Sequence, residues 1–210
     1  MRRPHYLVIV WSIVLSFISD ICHAQQPITV GIPRHKMNYV AAPQMQSQWC
    51  WAACIQMIFR YYGVSISQEK IVARTYGSDA YGSLPNWPGS WQAITANLNN
   101  WDIDSGRQYY AVGASFSHGI PDSAGVIDEL RKGHPIILAY ASGPNSGHAV
   151  VLTGVSYINS YSGPIITTAI VRDPWPSPEN IANSGRVEWS GSQLASLIQG
   201  YWIIRVLPVD

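Results

Sequence analysis

Three side chains, far apart in the sequence, are of the types from which a nucleophilic site is built. Cys50 opens the run Cys50 to Tyr62, in which only Gln56 and Arg60 are neither apolar nor aromatic. That pattern predicts a helix buried on most of its faces. Ser47, three residues earlier, is the expected N-cap, which puts the thiol in the first turn, where free N–H groups and the helix dipole favour an anion. A thiolate is held there at least cost. Gly63, after Tyr61 and Tyr62, is the expected C′ residue. A thiol nucleophile needs a base, and the base needs a third group to orient it.

Six histidines compete for the role of base. His5 and His23 fall within an N-terminal leader, His35 lies in a polar lead-in, and His134 precedes Pro135 at a helix-to-strand turn. His118, in a Ser-His-Gly loop, is a rival. His148 follows Gly147 and opens the apolar strand Ala149-Val150-Val151-Leu152, so its ring projects from a rigid element. Asp173 follows the next expected strand, Ile165 to Arg172, and an antiparallel hairpin would bring His148 and Asp173 to the same side of a sheet. A plain Asp-Pro turn is the competing account of Asp173.

The stretch Pro43-Gln44-x5-Cys50-Trp51-Ala52-Ala53-Cys54 resembles the active-site motif of bacterial papain-like cysteine peptidases. It is most similar to the avirulence-type proteases of plant-associated bacteria and, more distantly, to the peptidases that trim bacteriocin leaders. It lacks the Cys-Gly-Ser that precedes the nucleophile in plant papain and the cathepsins, and has Gln48-Trp49 there instead. Gly147-His148-Ala149-Val150 followed by Gly154 resembles the family's histidine motif, and Asp173 with Trp175 its third member and the tryptophan that shields it. The resemblance implies Cys50 as nucleophile, His148 as base and Asp173 as orienting group. It further implies an oxyanion held by the Gln44 amide and the Cys50 N–H, with Gln46 and Gln48 as alternative donors. A thioester intermediate, a protein or peptide substrate and no metal or organic cofactor follow from the same resemblance. Two alternatives remain: an amidase cutting peptidoglycan cross-links, and an inactive binding module of the same fold.

Residues 1–24 have the layout of a secretory signal: Arg2 and Arg3, an apolar run from Leu7 to Ile18, then Cys22-His23-Ala24. Cleavage after Ala24 predicts a secreted or periplasmic protein with no stable membrane anchor, its domain spanning residues 25–210. Cys50 and Cys54 then remain. At i and i+4 on one helix their Cβ atoms point the same way, and a disulfide would strain the helix. Cys54 is expected as a small buried hydrophobe; a zinc site would need a second ligand pair. The chain has 13 basic and 12 acidic side chains, and loss of Arg2, Arg3 and Asp20 leaves a formally neutral protein. Without a basic stripe, and with nine tryptophans not interleaved with Lys or Arg, nucleic-acid binding has no support. Hydrophobic content of 47% against 12% charged residues suits a single folded domain. Oligomeric state is not legible.

The elements that must position these residues follow from pattern. Gln26 to Ala42 reads as a lead-in with an extended Tyr39-Val40 segment. Ser65 and Gln68 form the expected capping box of a helix through Ile71, Val72 and Tyr76. Residues 77–91 form a loop anchored by Trp87 and Trp91, either walling a cleft or packing the loop down. A short helix near Trp91 to Leu98 and a strand at Tyr109 to Val112 follow. Asp122 or Ser123 caps a helix carrying Val126, Ile127 and Leu130. Strands are expected at Ile136 to Ala141, His148 to Val155, Ile165 to Arg172, Arg186 to Trp189 and Tyr201 to Leu207. A last helix, Gln193 to Ile198, is capped by Ser190 or Ser192. Helices first and strands later predict an α+β papain-like fold, a helical lobe packed on an antiparallel sheet.

Overall fold

The computed structural model describes residues 25–99, 101–104, 108–143 and 146–209. The leader expected over residues 1–24 lies outside the described residues.

The helical lobe comes first. Strand β1 (Ile28–Gly31) leads into helix α1 (Arg34–Val40), followed by α2 (Cys50–Tyr61), α3 (Gln68–Tyr76) and α4 (Trp91–Asn99). The second half holds β2 (Asp102–Asp104), β3 (Tyr109–His118), α5 (Ser123–Arg131), β4 (Ile136–Gly143), β5 (Ser146–Ser160) and β6 (Gly163–Arg172). It ends with α6 (Pro178–Ala182), β7 (Arg186–Ser190), α7 (Gly191–Leu197) and β8 (Ile198–Val209). The strands form one sheet in the order β2-β3-β8-β4-β5-β6-β7, every pair antiparallel, and β1 pairs with β5 beyond the end of β4. The expected α+β architecture is present.

Both faces of the sheet centre are covered, which explains why β5 is apolar almost without alternation. Val151 faces the core built by α2, α3 and α4, while its neighbours Val150 and Leu152 face α5 and α7. In α2, every residue from Cys50 to Phe59 is buried. Gly63, at φ +85°, ends the helix as its position predicts.

Three local expectations are corrected. Tyr39 and Val40 are helical, in α1: Met37 and Val40, three apart, are buried with Ile32 against Tyr61, whereas Tyr39 is exposed. A period of three, not two, governs that segment. The N-cap of α2 is Trp49, with no side-chain cap bond, and Ser47 Oγ instead accepts from Asn86 Nδ2 at 2.9 Å. In α3 the cap is Ser67, whose Oγ accepts from Lys70 N at 3.3 Å. Gln68 is drawn away from the expected capping box by buried partners described below. The Asp122 cap holds, with Gly125 N donating to Oδ2 at 2.8 Å, and Ser190 with Gln193 forms a capping box for α7.

Candidate active site

The site lies where the N-terminus of α2 meets the ends of β5 and β6. Cys50 is the first residue of α2 and is 8% exposed. β5 and β6 pair from Val151 with Arg172, so His148, just before that pair, and Asp173, just after it, emerge at the same edge. His148 Nε2 and Asp173 Oδ1 are 2.7 Å apart. The Cys50 side chain acts on the same imidazole and favours its charged form, so His148 is influenced by both a thiol and a carboxylate.

The electrostatics follow from that placement. Burial works against charge on His148, but the hydrogen bond to Asp173 and the interaction with Cys50 outweigh it and raise its pKa from 6.5 to about 9. Burial likewise pushes Asp173 upward, and the bonds from His148 and from the Trp175 N–H, the latter at 2.8 Å, hold it below the usual carboxylate value. The Trp175 ring stands edge-on to His148, with centroids 6.5 Å apart. Tyr140, opposite His148 on β4, packs edge-on to the imidazole at 5.5 Å, and burial raises its phenol to about 12.

Of the other histidines, His118 closes β3 opposite Gly200 and packs against Phe116 and Trp91. His134 pairs with Glu129 at 3.0 Å, and His35 lies in α1. Cys54 is a free thiol, fully buried one turn after Cys50, and burial above all, then the neighbouring Cys50 and Asp173, raises its pKa well above that of an ordinary thiol.

Gln44 is 5% exposed beside the start of α2. Its Nε2 donates to Gln46 O and Ser47 O, both at 2.9 Å, which engages both amide hydrogens, while Oε1 is buried with no partner. Its backbone N–H donates to Pro174 O at 2.8 Å, tying the glutamine segment to the Asp173 turn.

Pattern reading missed Gln68. It is 1% exposed, and its Nε2 donates to Pro43 O at 2.9 Å and to Gln56 Oε1 at 3.0 Å, while its Oε1 accepts from Met45 N at 2.9 Å. The side chain therefore brackets Gln44 on both sides. Two glutamines amid apolar helices, Gln56 and Gln68, were the available signal, since buried amides need partners. The 77–91 loop is tied to the residues on either side of Cys50: Trp49 Nε1 donates to Pro85 O at 3.0 Å and Trp51 Nε1 to Trp87 O at 3.3 Å. Gly89 lies so close to the Trp51 indole that a Cβ would meet its Cγ at 2.6 Å.

A cleft of about 410 Å³ opens beside His148, lined by Ser47, Gln48, Tyr140, Ser142, Ser146 and Trp175 among others. Apart from His148 and Asp173 its walls are uncharged.

This is the architecture of a papain-like cysteine peptidase. The peptidase domain of Streptococcus ComA, a bi-functional ABC transporter involved in a quorum sensing pathway, shares the fold. Its TM-score is 0.54 at 14% identity, over 80% of this chain and 97% of that one. Digestive procathepsin L2 from the larval midgut of Tenebrio molitor matches at a TM-score of 0.48 and 14% identity, over 86% of this chain and 68% of that one. No curated protein sequence matches the chain. The model of the Peptidase_C39 like family matches residues 36–191, and the chain belongs to that family. It is therefore a cysteine-type peptidase whose substrate is a protein or peptide.

Proposed function

We propose that the protein is an exported protease that cleaves peptide bonds through Cys50, His148 and Asp173. The observation that carries this reading is the imidazole of His148, bonded to Asp173 at 2.7 Å and pushed toward its charged form by Cys50 as well. His148 takes the Cys50 proton, and the helix N-terminus together with the imidazolium holds the thiolate. Asp173 fixes the tautomer and stabilises the charge on His148. Attack on the substrate carbonyl forms a C–S bond and an oxyanion, received by the Cys50 N–H and by Gln44. To donate, the Gln44 amide must exchange its bonds to the Gln46 and Ser47 carbonyls for one to the oxyanion, while its Oε1 has no partner to give up. His148 then returns the proton to the leaving amine, and water hydrolyses the thioester.

Export rests on the signal-like residues 1–24, and the avirulence-type resemblance on the Pro43 to Cys54 motif. The test is cleavage of casein and of purified sacculi by the mature protein and by Cys50→Ala. Loss of casein cleavage in the variant supports the protease reading. Activity on sacculi alone would replace it with the cell-wall amidase, and no reaction of Cys50 with an epoxide thiol trap would leave the binding module. Mass spectrometry of the secreted form reads the processed N-terminus.

A further inference from the structure

We infer that Asn180 is a positioning residue for Asp173: its side chain holds the 173–175 turn in the shape that aims the carboxylate at His148. The inference rests on the catalytic reading of Cys50, His148 and Asp173. Asn180 Nδ2 donates to Trp175 O at 3.0 Å. The Trp175 N–H donates to Asp173 Oδ1 at 2.8 Å, the same oxygen that meets His148. Backbone bonds close the circuit: Gly185 N donates to Asn180 O at 2.6 Å, and Asp173 N donates to Gly185 O at 2.7 Å. The Asn180 side chain also favours the ionised form of Asp173 against the upward push of burial.

The element that carries Asn180 is itself fixed. Ser177 Oγ accepts from Asn180 N at 3.1 Å, and Pro178 opens α6 with a preset φ. Behind the turn lies a cavity of about 170 Å³ bordered by Asp173, Trp175, Asn180, Met57 and Pro43. Asn180 and Asp173 border that space together, so truncating Asn180 both removes a donor and widens the cavity beside Asp173.

The test uses iodoacetate, an anionic alkylator whose attack on the Cys50 thiolate is favoured by the neighbouring imidazolium. The alkylation rate, followed by mass spectrometry across a pH series, needs no substrate. Wild-type protein is expected to show an alkaline limb that His148→Ala lacks. Asn180→Ala is expected to move that limb down by about one pH unit, and Asn180→Asp, which adds a carboxylate beside Asp173, to move it up. Thermal melts report folding, and if Asn180→Ala does not fold, the direction of the Asn180→Asp shift decides. An unmoved limb in the folded variants overturns the positioning role. Absence of any His148-dependent limb in the wild type overturns the catalytic reading instead, so the two failures are distinguishable.

Discussion

Gln68 donates a hydrogen bond to Gln56 at 3.0 Å inside the helical lobe, joining the first turn of α3 to the middle of α2. The same Gln68 amide bonds Pro43 O and Met45 N, so one buried side chain fixes the helix bearing Cys50 and the segment bearing Gln44 relative to each other. Gln68→Leu keeps the volume and leaves those groups unpaired, at roughly 1–3 kcal/mol for each buried group. Chemical denaturation is expected to show a loss of about 2 kcal/mol or more, with kcat falling while KM stays near its original value.

Cys50→Ala is expected to abolish hydrolysis, and Cys54→Ala to spare it. Burial keeps the Cys54 thiol protonated, so it is a poor nucleophile. Peptide mapping after thiol labelling of the folded protein should find the label on Cys50 alone. Label on Cys54 in the folded state would move the nucleophile.

The pH dependence has a definite sign. His148 has its pKa raised, so the stability its charge contributes is complete below 6.5 and is lost as pH rises through about 9. Asp173 is lowered, so its contribution is present above the ordinary value of 3.8 and is lost as pH falls through its depressed value. Melting temperature is expected to plateau between those limits. The alkaline limb of kcat/KM should fall near pH 9, where His148 loses its proton. In Asp173→Ala that limb should lie at lower pH.

Gly185 has φ +70°, and a Cβ there would stand 2.5 Å from Asp173 O. Gly185→Ala is expected to cost about 1–3 kcal/mol and to reduce kcat by pushing the carboxylate off His148. Paired melts and kinetics check it; a loss of stability with kcat intact would separate the turn from the chemistry.

Much of this was legible because the relevant signals are local. His148 and Asp173 were placed together because two apolar runs with a short connection predict a hairpin, and the β5–β6 register follows that geometry. The cap of α7 was legible in Ser190 and Gln193 for the same reason. Tyr39 and Val40 were not, because alternation over a few residues does not reveal that Met37 is the buried partner. Nor was Arg172, which is 1% exposed at the end of β6 and donates to the carbonyls of Ser184, Asn183 and Arg34. Partners so distant in sequence leave no periodic trace. Gln68 and Asn180 escaped for a related reason: each serves the site through backbone groups of another segment.

Strand β8 occupies the middle of the sheet, between β3 and β4, although every other described element precedes it along the chain. During synthesis the halves flanking that slot have no seam until β8 arrives to zip them together. The sheet that carries His148 is thereby left in two pieces until residues 198–209 have been made.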